Sequence, residues 1–576
     1  MNQKNTDIPR SEFPNPQFER ESWLCLNGSW DFEIDKSKSG KERGLSEADA
    51  VLSDRITVPF CPESILSGIH QLDFMNALWY ARTVCLTEEQ CRGRVFLCFG
   101  AVDYACTLFV NGKKLGGHRG GYSSFRFDIS GAVHEGENRL TLSVLDDPRD
   151  PLTPRGKQSE LYHSHDCDYT RTTGIWQSVW LEFTPPSYLL RIRCETDPEN
   201  GILQLTAETA GPRADLGVTV LYDGREMGSA FAGDVSGTVH FSIPLREKHL
   251  WEPGKGRLYD LKLLYGADTV KSYFGLRRVA MDGKRFLLNG KSVFQRLVLD
   301  QGFYPDGIYT APTEEALIRD IELSMCLGFN GARLHQKVFE PRFLYHCDRL
   351  GYMVWGEYGD WGVDPANPRA IYSILPEWEA VLLRDRNHPA IIGWCPFNET
   401  WRTQDWELYS DYIRLVYHTT KAIDPTRPCI DTSGGIHVET EIYDVHDYEG
   451  DPERLRQHYA DLEEKGEIFD YFADRQSYGG QAIFMSEYGG ITWCRRDTPA
   501  CWSYGDVPKT EEEFVSRFRA STTLLLKHPS FFGICYTQLT DVEQEQNGLL
   551  WADRTPKFDT EQFRRILTQK AAMEEE

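Results

Sequence analysis

The chain has 576 residues, more than one hydrophobic core usually supports, so two to four domains are expected. Its formal net charge of −24 argues against nucleic acid or an anionic membrane surface as a partner, since both need a cationic face. There is no run of 18 apolar residues, and residues 1–7 lack an apolar core, so neither a membrane span nor a secretory leader is read and a cytoplasmic location is expected. The 15 cysteines are scattered, with no CxxC pair and no zinc-ligand spacing, and are expected to be reduced thiols.

Residues 1–185 are rich in strand signals. Segments 30–34, 94–99, 106–110 and 140–144 are apolar or alternating, and the turn Asn111-Gly112 closes the third of them. Short strands between such turns predict an all-β sandwich. Residues 186–275 continue in strands at 189–193, 203–206, 218–222, 238–243 and 259–264, which suits an immunoglobulin-like sandwich. Over 276–576 apolar strands alternate with amphipathic helices, the pattern of βα units. Eight strands are predicted, at 292–299, 331–334, 352–357, 391–397, 428–431, 442–445, 483–487 and 533–537. Helices are predicted at 314–327, with Thr313 as its cap, and at 341–350, 376–386, 405–422, 512–526 and 560–570. Together these give a (β/α)₈ barrel.

Two of the barrel strands end in glutamate. One is Gly393-Trp394-Cys395-Pro396-Phe397-Asn398-Glu399; the other, Ile483-Phe484-Met485-Ser486-Glu487, lies 88 positions on. The C-terminal ends of barrel strands are where active sites are built. Hydrolysis of a glycosidic bond needs an acid for the leaving oxygen and a carboxylate for the oxocarbenium-like carbon. Glu399 is read as the acid/base and Glu487 as the nucleophile. Trp394, Pro396 and Phe397 supply low-dielectric surroundings that favour a protonated acid, and Asn398 can donate to a substrate hydroxyl.

Motifs along nearly the whole chain resemble glycoside hydrolase family 2, the β-galactosidases, β-glucuronidases and β-mannosidases. They include Leu26-Asn27-Gly28-Ser29-Trp30-Asp31-Phe32, Trp79-Tyr80-Ala81-Arg82, Gly120-Gly121-Tyr122-Ser123-Ser124-Phe125, Gly174-Ile175-Trp176-Gln177-Ser178-Val179 and Leu288-Asn289-Gly290-Lys291. The resemblance implies a jelly-roll domain, an immunoglobulin-like domain and the barrel, with retaining exo-β-glycosidase activity and no cofactor or metal. It assigns Glu399 and Glu487 the roles above. It also matches Asp168 to an aspartate reaching from the first domain into the sugar site, and Arg333 to the arginine that positions the nucleophile. His335, Asp300 and Glu357 fall at strand ends on the same rim, and His446 is a further candidate to touch substrate.

Departures from the family pattern bear on the sugar. After Arg333 the chain reads Leu334-His335-Gln336-Lys337, where the family commonly has Ser-His-Tyr-Pro. Near the last strand Tyr536-Thr537 stands where an aromatic floor is usual, and Tyr536 is taken as a substrate contact. Glucuronidases carry an Asn-x-Lys pair whose lysine grips the uronate. The matching stretch, Glu545-Gln546-Asn547-Gly548, has no lysine, which argues against a glucuronidase, although Lys337 offers a cation from elsewhere. A β-galactosidase-like substrate is therefore expected. β-Mannosidase, uronidase and arabinosidase or furanosidase specificities remain alternatives, as does a non-catalytic carbohydrate-binding protein. Homo-oligomerisation is left open.

Overall fold

The computed structural model describes residues 8–401, 405–494 and 501–574. The leading residues 1–7 and the last two glutamates of the tail lie outside these. The first region holds a six-stranded and a four-stranded antiparallel sheet. Its longest pairing runs from Gly136↔Leu86 to Leu145↔Ala77. Alternation along these strands turns Trp30, Phe32, Leu108, Val110, Leu140 and Leu142 into one core. The second region packs a three-stranded sheet against a four-stranded one. Its strand Arg225–Val235 gave no sequence signal because it is an edge strand that buries only Met227.

In the third region seven parallel strands form the barrel wall. Their order is Ile391–Cys395, Met353–Glu357, Gly331–Leu334, Gln295–Asp300, Phe531–Thr537, Ala482–Gly489 and Ile442–Asp447. The strand predicted at 428–431 is not a regular strand. It makes isolated bridges from Cys429 to Trp394 and from Ser433 to Asn398. The physical cause is Asp431, whose carboxylate accepts from the amides of Thr432, Val438 and Glu439 and so turns the chain away from ladder pairing. Helix Glu314–Leu327 has the predicted bounds, capped by Thr313 and ended by left-handed Gly328. The helix expected from Pro376 begins earlier, as Ile371–Asp385. Pro376 lies inside this helix, in its second turn, where its missing amide leaves the Tyr372 carbonyl without the usual helical bond.

The regions share a core. Tyr122, Tyr169 and Trp176 of the first, and Trp251 of the second, are buried in the same cluster as the barrel residues. Glu377 on the barrel accepts from the amides of Tyr122 (2.6 Å) and Ser123 (3.0 Å). Tyr273 of the second region donates to Asp348 of the barrel at 2.8 Å. Cys494 and Cys501 are joined by a disulfide, against the expectation of reduced thiols throughout, while the other cysteines are free. Among the described residues no helix is long and apolar enough to cross a membrane.

Candidate active site

Beyond Ile391–Cys395 the chain passes through buried Pro396 and Phe397 and delivers Asn398 and Glu399 to the rim. Glu399 has φ +50°, the left-handed region, which costs of order 1 kcal/mol for a non-glycine residue. Its amide donates to Ser433 O at 2.7 Å, and the Ser433 amide donates to Phe397 O at 2.8 Å, holding the turn. Glu487 lies within Ala482–Gly489 with its side chain 3% exposed, whereas that of Glu399 is 23% exposed. The nucleophile candidate is therefore deep and the acid candidate faces the mouth.

Arg333 organises the floor. It donates to Glu487 (3.0 Å), to the Ser486 carbonyl (2.8 Å), to Glu357 (2.6 Å) and to Asn398 Oδ1 (3.1 Å). These charge-assisted bonds fix where the Glu487 carboxylate points. Tyr448 donates its hydroxyl to the other oxygen of Glu487, lies 3.1 Å from Thr537 Oγ1, and is stacked on Tyr504 with centroids 3.7 Å apart. His446 stands between the glutamates, with Nδ1 2.9 Å from Glu399 and Nε2 3.4 Å from Glu487. Gly434, at φ +59°, makes that place possible: a Cβ there would lie 2.2 Å from the imidazole. One oxygen of Glu399, one of Glu487 and a His446 ring nitrogen all fall within 4.8 Å of one another. That spacing matches the short carboxylate separation, about 5–5.5 Å, at which the second carboxylate attacks directly and configuration is retained.

The electrostatics run against the expectation that the surroundings of Glu399 keep it protonated. Burial favours neutral Glu399, but donation from His446 and the charges of His446, Lys157 and Arg333 outweigh it and hold the carboxyl below its ordinary value. Burial likewise disfavours charge on His446, yet Glu487 and Glu399 raise it above the usual histidine range. His335 goes the other way: burial, then Lys157 and Arg333, keep it neutral, with Nδ1 3.0 Å from Glu357.

The structure thus brings Glu399, Glu487, Arg333, His335, Glu357, Asn398 and His446 together. Three expected contacts face elsewhere. Lys337 points away from the glutamates, donating to the carbonyls of Gly302 (2.5 Å) and Tyr309 (2.8 Å) beneath Trp176, Tyr309 and Phe339. Asp300 turns its carboxylate onto the Gly302 amide. Tyr536 packs outward on Phe518 of the helix layer and on Tyr488. Its neighbour Thr537 takes the inward position because side chains alternate along a strand.

Asp168 belongs to a strap of the first region, residues 151–170, that crosses the rim. The strap is tied at one end by Arg155 N to Trp361 O and Gly156 N to Gly359 O, and at the other by Thr170 N to Glu543 and Gln544 to Asp166 O. The Asp168 carboxylate is paired with Arg155 at 2.6 Å. Sequence reasoning missed Tyr448 and Lys157. Tyr448 follows His446 by two places and had that proximity as its signal. Lys157 sits in the irregular strap and had none.

The family description "Glycosyl hydrolases family 2, TIM barrel domain" matches residues 279–571, and "Glycosyl hydrolases family 2, sugar binding domain" matches 69–185. The chain belongs to glycoside hydrolase family 2. A Paenibacillus borealis β-glucuronidase is 24% identical over 95% of this chain and 96% of that protein. A Lactococcus lactis β-galactosidase is 28% identical over 61% of this chain but only 34% of that protein. Among solved structures, an uncultured Clostridium sp. β-glucuronidase superposes with TM-score 0.80 at 21% identity, over 96% of this chain and 99% of that one. As a family 2 enzyme the chain is a retaining glycoside hydrolase. Its full-length relatives lean towards β-glucuronidases, and so favour the uronidase alternative over the expected β-galactosidase-like substrate.

Proposed function

We propose that the protein is an exo-acting β-glycosidase that removes a terminal hexuronic acid, β-glucuronic acid in the first instance. The observation that carries the reaction is the spacing of Glu399 and Glu487 around His446, with Glu487 fixed from both sides by Arg333 and Tyr448. Glu487 attacks the anomeric carbon while Glu399 passes a proton to the departing oxygen. The glycosyl–Glu487 ester forms as the glycosidic bond breaks. Glu399, now ionised, takes a proton from water, which attacks the anomeric carbon, breaks its bond to the Glu487 oxygen and frees the sugar with its original anomeric configuration. The strap across the rim supports exo action by closing one side of the site to a continuing chain. The choice of a uronide is supported by the near end-to-end likeness to a β-glucuronidase.

Azide rescue tests the role assignment. In Glu487→Ala, turnover of 4-nitrophenyl β-D-glucuronide is expected to drop by about 10³-fold or more, with azide restoring it as an α-glycosyl azide. In Glu399→Ala the loss is about 10²–10⁴-fold, largest for poor leaving groups, and azide gives the β-glycosyl azide. Exchanged product configurations would reverse the two roles.

A further inference from the structure

Lys157 lies in the strap and is 3% exposed. Its Nζ sits 5.0 Å from the ring centroid of Trp361 and 5.9 Å from that of Tyr169. Trp361 is itself anchored by donation to the Asn398 carbonyl at 2.9 Å, which places the cation beside the catalytic turn. Among the described residues no carboxylate lies within ion-pair distance of Nζ and no acceptor within hydrogen-bond distance. The ammonium is not sealed either, since it is not among the fully enclosed unpaired atoms. Buried ammonium groups are ordinarily paired.

The nearby carboxylates are already engaged. Glu399 faces His446, Glu487 is held by Arg333 and Tyr448, and Glu545 accepts from Tyr169 and from Asn547 at 3.0 Å. Burial disfavours the charge of Lys157, but the Cys167 thiol and then these three carboxylates act on it through space and raise it. Its charge thus sits beside the turn that carries Asn398 and Glu399, and among the described residues no carboxylate is paired with it. A neutral hexose would offer it only hydroxyl oxygens. A carboxylate offers a full counter-charge and two acceptors, which makes the stronger, charge-assisted bond.

We propose that Lys157, brought to the barrel mouth by the first domain, binds the carboxylate of the sugar. It would supply from the strap the cation that Glu545-Gln546-Asn547-Gly548 lacks on the barrel rim. This inference rests on the uronide reading of the site.

The test compares the full-length wild type, Lys157→Met and Lys157→Arg. The readout is the ratio of kcat/KM for 4-nitrophenyl β-D-glucuronide to that for 4-nitrophenyl β-D-glucoside. The wild type should prefer the glucuronide, K157M should lower the ratio at least about 100-fold, and K157R should stay within about tenfold of the wild type. Binding of D-glucaro-1,5-lactone, followed by calorimetry, should weaken in the same order and reports on K157M even if its turnover is too slow to follow. A ratio in K157M within threefold of the wild type, or equal losses on both substrates with unchanged lactone binding, would overturn the role of Lys157 and leave the uronide reading standing. A wild type that prefers the glucoside would overturn the uronide reading itself, whatever the variants do.

Discussion

Glu399 and His446 face one another across 2.9 Å, close enough to exchange a proton. With Glu399 held low and His446 raised, the pair favours the proton on the imidazole in the free enzyme, and it must reach Glu399 before the leaving oxygen can be protonated. The two groups titrate as a unit, and the unit binds its proton at least as tightly as Glu399 could beside a neutral neighbour, because the imidazole adds a second place for it. The alkaline limb of kcat/KM, which reports loss of the acid's proton in the free enzyme, is therefore set by the pair. In His446→Gln this limb should move to lower pH, with kcat at its optimum down about 10²-fold. A pH–rate profile checks it, and a limb that stays in place would show that His446 does not hold the acid's proton.

At the level of elements, the segment after strand Gly331–Leu334 is pinned by Lys337 to the 302–309 loop. Removing the ammonium in Lys337→Ala strands two carbonyls and should cost about 2–4 kcal/mol, read as a lower Tm. Burial, against the pull of Glu340 and Asp300, brings this lysine down to about 7. Between that value and the unfolded value of about 10.4, the unfolded chain binds the extra proton, so stability rises with pH. The Tm gap between wild type and variant should thus widen from pH 7 towards pH 10. What could be read from sequence follows the same physics. Short apolar runs that end abruptly in Asn398-Glu399 and Ser486-Glu487 were legible as barrel strands with their cargo. Tyr536 and Thr537 could not be told apart, because a strand buried on both faces gives no parity signal. The barrel position near 428–431 was misread because Asp431 diverts backbone donors that a strand would use. Lys157 was invisible because the strap has no periodicity; only its fold across the rim gives the residue meaning.

Over the whole molecule the three regions are one folding problem. Trp176, Tyr122 and Trp251 fill the barrel's own cluster, so a fragment of residues 276–576 would expose the surface they cover. Such a fragment is expected to aggregate, whereas the full chain runs as a discrete species; size-exclusion chromatography separates these outcomes. A soluble fragment with native near-ultraviolet dichroism would show that the barrel stands alone.

The strap tied at both ends across the rim also bears on traffic. With that side covered, the proposed mechanism has aglycone, water and freed sugar pass the uncovered part of the rim in sequence. On that mechanism the aglycone has to leave before water can reach the ester on Glu487. The sugar, lodged deepest, departs last. If the sugar is the proposed uronide, free glucuronate should accordingly inhibit in competition with substrate, while added aglycone or a small alcohol should intercept the ester and divert turnover to transfer products.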